Sequence, residues 1–258
     1  MIRAIADTWT LAKRSLRHIT RSPDTIITVL LMPIAFMLLF VYVWGGAMGS
    51  QTGSISYITF IVPGIVVVTV LSGISYAAVR LNMDIQSGII GRFRTMPVAP
   101  SAILGGHVAS STLSNLLSSL IVLVVALAMG FRSNAGVTGW LVFATLLLLF
   151  TLSTTWLAIF FGLLAKTVEG AGAFSYILIL LVFVSSGFVP TSSMTPLLRG
   201  FAENQPMTPV VETMRSLLVN GTAGPEVWTA VAWIVGILVV FYLLSVAVYK
   251  RRSIVANS

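Results

Sequence analysis

Residues 25–79 read TIITVLLMPIAFMLLFVYVW, then GGAMGSQTGSIS, then YITFIVPGIVVVTVLSGISYAAV, and no charged side chain lies between Asp24 and Arg80. A hydrocarbon layer about 30 Å thick is crossed by a helix of about 20 apolar residues. The stretch therefore holds two spans, about 26–44 and 57–79, parted by a loop at 45–54 rich in glycine and serine. The apolar runs are continuous, not alternating in segments of about ten residues, so they are helices rather than barrel strands.

The same ruler applied to the rest of the chain gives four more spans. Arg94 and Arg132 enclose one at about 107–130, and Arg132 and Lys166 enclose one at about 140–165. Glu169 and Arg199 enclose one at about 171–190, and Glu226 and Lys250 enclose one at about 227–249. The expected fold is an all-α membrane protein with six transmembrane helices in a domain at 25–250, followed by a tail at 251–258.

Composition agrees with this reading. The 258 residues are 57% hydrophobic and 9% charged, with mean hydropathy +1.00. Soluble domains carry about 25% charged residues, so a soluble enzyme and a nucleic-acid-binding module are excluded. The net charge of +8 has another use. With an even number of spans, Arg3, Lys13, Arg14, Arg17, Arg21, Arg80, Arg92, Arg94, Lys166, Lys250, Arg251 and Arg252 share one side. Only Arg132, Arg199 and Arg215 fall on the other. Basic residues stay inside, so both termini are expected in the cytoplasm of a multi-pass plasma-membrane protein.

Residues 1–24 form a separate element. Ile2, Ile5, Trp9, Ala12, Leu16 and Ile19 step by three and four, with the basic residues off that face. This pattern predicts an amphipathic helix lying in the headgroup layer, against the alternative of an ordinary cytoplasmic helix. The first span is too long for a cleaved signal peptide.

The proposed membrane cores hold no Asp, Glu, Lys or Arg. Such residues mark proton relays and ion paths, so proton-coupled transport has no carrier group here. The chain has no cysteine, no HExxH and no GxxxxGK[ST] phosphate loop. No metal or cofactor is expected on the chain, and ATP is not expected to bind to it. A serine hydrolase would need His107 beside Ser185-Ser186-Gly187, which the topology puts on opposite sides. On span three, Ser110, Ser114 and Ser118 repeat every four residues. They either pack helices closely or, with Ser185, line a substrate path.

Two loops carry more information. In the first, Ile85, Ile89, Phe93 and Met96 make one face of a short amphipathic helix, flanked by Arg92 and Arg94 and stopped by Pro97. The second follows Pro190 and suits two short helices, broken at Gln205-Pro206 and stopped at Asn220-Gly221. Glu212 and Arg215 stand three apart and can pair on one helical face.

The pattern Gly88-Ile89-Ile90-x-Arg92-Phe93-Arg94-x-x-Pro97 resembles the membrane subunits of type-2 ABC exporters (the ABC-2 permeases). So does the series Phe188-Val189-Pro190, Pro196, Phe201-Ala202, Gln205-Pro206-x-Thr208, Glu212 and Arg215. The chain is particularly similar to the daunorubicin-resistance-type permeases of actinobacteria, over essentially its whole length. It departs from them at Gly91, where relatives often carry an acidic residue.

The resemblance implies a type-2 ABC exporter fold in a bacterial cytoplasmic membrane. It implies a second permease chain, identical or paralogous, and two copies of a separate P-loop subunit that binds ATP and Mg. Asp84, Gly88, Arg92, Phe93, Arg94 and Pro97 would form a coupling helix seated on that subunit, with Lys166 and Glu169 as a shorter contact. Pro190, Pro196, Gln205, Pro206, Glu212 and Arg215 would belong to an external gate of two re-entrant-like helices. The cargo would be a hydrophobic small molecule or lipid, with glycan or lipid-linked polysaccharide export as the alternative. An intramembrane hydrolase and a membrane scaffold are the rivals from other classes.

Overall fold

The computed structural model describes residues 30–48, 55–87 and 100–255. The expected interfacial helix at 1–24 lies outside the described residues, as do Gly88, Arg92, Phe93, Arg94 and Pro97. Among the described residues every regular element is helical, with no strand.

Helix α1 (Met32–Leu38) has Pro33 in its first turn, where a missing N–H leaves no bond unmade. It continues as a π-helical stretch, Leu39–Trp44, and one further turn, Gly45–Met48. The glycines at 45 and 46 suggested a loop, yet the helix carries on through them. Phe40 anchors this segment, edge-to-face with Trp44 at 4.7 Å and stacked on Phe188 at 4.7 Å. Such packing outweighs the roughly 1 kcal/mol helix penalty of a glycine.

Helix α2 (Tyr57–Gln86) runs past Arg80, so Arg80 and Asp84 ride on its last turns rather than in a loop. A charge ends an apolar run without ending a helix. Four more long elements follow: α3 (Pro100–Ala128), α4 (Val137–Leu164), α5 (Val168–Phe183) and, at the end of the chain, α8 (Val227–Val255). Between α5 and α8 lie a single 3₁₀ turn, Thr191–Ser193, and two short helices, α6 (Pro196–Asn204) and α7 (Met207–Asn220).

Helix α5 stops at Phe183, earlier than its apolar run suggested. Ser185 is the cause: its Oγ donates to the Val182 carbonyl at 2.6 Å and accepts from the Gly187 N–H at 3.0 Å. A serine side chain competing this way turns the backbone out of the helix. Helix α8, conversely, continues through Lys250 and Arg251 into the expected tail.

Four helices are long and apolar enough to cross a membrane: Tyr57–Gln86, Leu104–Ala128, Val137–Leu164 and Val227–Tyr249. Met32–Ala47 and Val168–Phe183 are shorter apolar helices. At 16 residues α5 is about 24 Å long, less than a hydrocarbon layer.

The bundle is built around α2, whose turns from Tyr57 to Leu71 are buried without interruption. Helix–helix contact in lipid depends on close packing by small residues. Accordingly, a Cβ on Gly64 would sit 2.7 Å from the Gly187 carbonyl oxygen, and one on Gly162 2.8 Å from that of Ala78. Helix α8 lies outermost, against α4, through Trp156 packed edge-on to Tyr242 at 4.8 Å and Ser245 Oγ donating to the Trp156 carbonyl at 3.4 Å.

These contacts make a paired expectation. Gly162→Val forces the α2 and α4 backbones apart and is expected to cost about 1–3 kcal/mol, the usual range for overpacking. Gly236→Val on α8 meets nothing within 4 Å and leaves stability unchanged. Thermal unfolding in detergent, read side by side, checks both.

Candidate functional site

The bundle has two distinct ends. Helix α2 finishes and α3 starts at one of them, here called the basic end. At the other, α7 is wedged against α2 and the turn after α5.

Helix α7 starts where Gln205-Pro206 breaks the chain. Gln205 Nε2 donates to the Leu181 carbonyl at 2.9 Å, and Thr208 Oγ1 donates back to the Ala202 carbonyl. The helix ends at Asn220, with Gly221 left-handed at φ +73° and its N–H on the Leu217 carbonyl. Glycine takes that conformation without a Cβ clash. The linker between α3 and α4 then closes over the end of α7. Ser133 Oγ and the Asn134 N–H both donate to the Leu218 carbonyl, at 2.7 and 3.1 Å.

Arg215 projects from α7 into the bundle and is only 6% exposed. Its Nη1 pairs with Glu212 at 2.9 Å, as the spacing suggested. Its Nε donates to the Phe60 carbonyl at 3.0 Å and Nη2 to the Ser186 carbonyl at 2.6 Å. The guanidinium also lies over the Phe60 ring, 3.8 Å from its centroid. Pro63 lies one turn on and has no N–H to give the Thr59 carbonyl, next to the Phe60 carbonyl on which Arg215 docks. Tyr57 hydroxyl adds a bond to the Phe188 carbonyl at 3.3 Å. Arg215 therefore binds three segments at once: α7, α2 and the turn after α5.

Pro190 precedes the 3₁₀ turn and Pro196 opens α6. Helix α6 turns Leu197 and Phe201 outward. Arg199 Nε bonds Glu203 at 2.8 Å and holds that exposed carboxyl below its ordinary range, aided by Thr191.

At the basic end, Asp84 Oδ2 lies 3.2 Å from His107 Nε2 on α3. Lys166 and Glu169 stand exposed on the turn between α4 and α5. Thr167 caps α5, its Oγ1 accepting from the Gly170 N–H at 3.1 Å. Sequence reasoning missed Asn82 and Gln86, which hold this turn to α2. Asn82 Nδ2 donates to the Gly162 and Ala165 carbonyls at 3.1 and 2.8 Å. Gln86 Nε2 donates to Asn82 Oδ1 at 2.7 Å and to the Lys166 carbonyl at 3.2 Å. Two amides four residues apart at the edge of an apolar run were the available signal.

The serine stripe on α3 divides. Ser110 and Ser114 donate to carbonyls of their own helix, those of His107 and Ser110. Ser118 is half-buried. Ser110 is itself buried, and the inward face also carries Ser111, Asn115 and Ser119, with the Asn115 side chain laid over Gly73 of α2. Ser185 belongs to the turn after α5, with both its bonds made locally.

Chemically, the arrangement binds and positions. His107 and Ser185 fall at opposite ends, so no hydrolase pair forms. Among the described residues no group of three or more His, Cys, Asp or Glu could hold a metal.

The family model for the ABC-2 type transporter matches residues 6–219. The chain belongs to the ABC-2 type transporter family. Among relatives, it is 29% identical over 252 residues to the daunorubicin resistance ABC transporter permease protein DrrB1 of Streptomyces coeruleorubidus, spanning 97% of this chain and 88% of that protein. It is 24% identical over 250 residues to the probable doxorubicin resistance ABC transporter permease protein DrrC of Mycobacterium tuberculosis, spanning 96% and 90%. It is 22% identical over 235 residues to the inner membrane transport permease YadH of Escherichia coli, spanning 87% and 88%. The ABC-2 chain is thus a multi-pass membrane permease subunit, not an enzyme in its own right.

Within this ABC-2 fold, the knot at Arg215 predicts a graded response. Arg215→Ala leaves two backbone carbonyls and Glu212 without their donor and is expected to cost roughly 2 kcal/mol or more, the scale of hydrogen bonds to a charged group. Arg215→Lys keeps the charge but cannot reach all three acceptors and falls between the two. Thermal unfolding of the detergent-solubilised variants checks the order.

Proposed function

We propose that this permease is the membrane half of an ATP-driven exporter that moves a hydrophobic or amphipathic compound out of the cell. One observation carries the reading: α2 is tied at both ends. Near its start it is held by Arg215 at the Phe60 carbonyl, and near its finish by Asp84, Asn82 and Gln86. In the sequence it is followed by the stretch with Arg92 and Arg94. A buried helix held this way transmits displacement along its length, because packed cores deform little.

In this reading the basic end faces the cytoplasm. Segment 84–97 and the turn at Lys166–Glu169 dock on a separate ATP-binding subunit, present in two copies and carrying ATP and Mg. A second permease chain completes the complex. Closure of the ATP-binding subunits pushes α2, and the push reaches α7 through Arg215. Helices α6 and α7 then act as the external gate. Cargo of drug character is supported by the daunorubicin and doxorubicin resistance proteins among the relatives.

The test is reconstitution of the permease with its ATP-binding subunit in lipid vesicles. Native mass spectrometry is expected to find two permease and two ATP-binding chains. The double substitution Arg92→Ala with Arg94→Ala is expected to lower stimulated ATP hydrolysis while membrane insertion is kept. Transport that persists with a hydrolysis-dead ATP-binding subunit would overturn the reading.

A further inference from the structure

The last turn of α4 leaves carbonyls with no intrahelical donor, as every helix end does. Water or a local cap commonly supplies the missing donors. Here they come from another helix, some eighty residues earlier in the chain. Asn82 is 1% exposed, and both Nδ2 hydrogens are committed, one to the Gly162 carbonyl and one to that of Ala165. Its Oδ1 accepts from Gln86, whose other amide hydrogen goes to the Lys166 carbonyl. A primary amide has two N–H donors, so all four hydrogens of the pair are in use. Gly162 lets the helices close enough for this, with no side chain between its Cα and the Ala78 backbone. On its far side the same turn is fixed to α5 by the Thr167 cap.

We propose that Asn82 and Gln86 form a clamp that fixes the α4–α5 turn to the end of α2, so that the last turn of α2 and the Lys166–Glu169 turn move as one rigid body. The proposal rests on the reading of these two segments as the docking surface for an ATP-binding subunit, and adds how they act. A push received at either segment is delivered to α2, α4 and α5 together. Asn82 and Gln86 are positioning residues: they touch backbone carbonyls of this chain rather than cargo or nucleotide. The donors decide the chemistry. Asn82→Asp keeps the volume but presents acceptors only, turned on two carbonyl oxygens, so it breaks the clamp as surely as truncation does.

The chain has no cysteine, so spin labels can be placed at will. Met83→Cys on α2 and Leu164→Cys on α4 put labels on exposed positions that make none of the clamp's bonds. In the complex with the ATP-binding subunit, the label distance is expected to be single, narrow and the same without nucleotide and with ATP trapped. Adding Asn82→Asp is expected to broaden it and shift it between the two states. The same substitution in the unlabelled complex is expected to keep ATP turnover and subunit stoichiometry while transport per ATP falls several-fold. Gln86→Ala, a milder change that leaves Asn82 in place, is expected to show a smaller loss of the same kind. Combined with Asn82→Asp, it is expected to add little.

A wild-type distance that changes with nucleotide would overturn the proposal. So would an unaltered distance and transport ratio in both variants. If the wild-type chain forms no complex with an ATP-binding subunit, the docking reading falls instead. The clamp is then judged in the permease alone, where equal distance widths for wild type and Asn82→Asp would refute it.

Discussion

A carbonyl at the end of a helix has no donor of its own, and in hydrocarbon there is no water to provide one. The described residues meet that constraint repeatedly by reaching across the fold. Arg215 serves the Ser186 carbonyl in the turn after α5, and Gln205 serves that of Leu181. Ser133 and the Asn134 N–H serve Leu218, while Asn82 and Gln86 serve the end of α4. Each irregularity of the backbone is thereby also a joint between elements. The short helix α5 and the broken pair α6 and α7 are stable because their loose ends are claimed elsewhere.

Helix α2 gathers these joints. It is the most enclosed element, and small residues bring its neighbours onto it: Gly187 against Gly64, Asn115 over Gly73, Gly162 against Ala78 and Gly172 against Ser75. Ser75 Oγ also donates to the Gly172 carbonyl at 3.2 Å. Tight packing of this kind leaves little room for one neighbour to shift without the others. Helix α8, held mainly by apolar contact with α4, stands apart from the network.

Much of this was legible from the residues themselves. Charge spacing located the long apolar helices, because charge is expelled from hydrocarbon whatever the fold. Pro206 and Gly221 marked the limits of α7, since one residue lacks a donor and the other tolerates a left-handed turn. The three-residue step from Glu212 to Arg215 announced their pair. The remainder depends on contacts distant in sequence. The partners of Asn82 and Gln86 lie about eighty residues downstream, and a local pattern holds no trace of them. The early end of α5 was hidden because Ser185 and Ser186 read equally well as helix hydroxyls. The run of α2 beyond Arg80 was hidden because hydropathy measures burial in lipid, not helix length. The repeat of Ser110, Ser114 and Ser118 drew attention to one face of α3, of which the fold buries only Ser110, beside Ser111, Asn115 and Ser119.

The knot at Arg215 also has a history. Its bond to Phe60 joins residues 155 positions apart. At 5–20 residues per second, a ribosome needs roughly 8–30 s to get from one to the other. Throughout that interval α2 lacks its Arg215 contact at the Phe60 carbonyl. Helices made in the meantime can gather round it but cannot lock it. The final geometry is therefore reached late in synthesis, as one closing event at the far end of the nascent bundle. Any factor that escorts the young chain into the membrane has a defined window in which it is needed, and a defined residue whose arrival ends it.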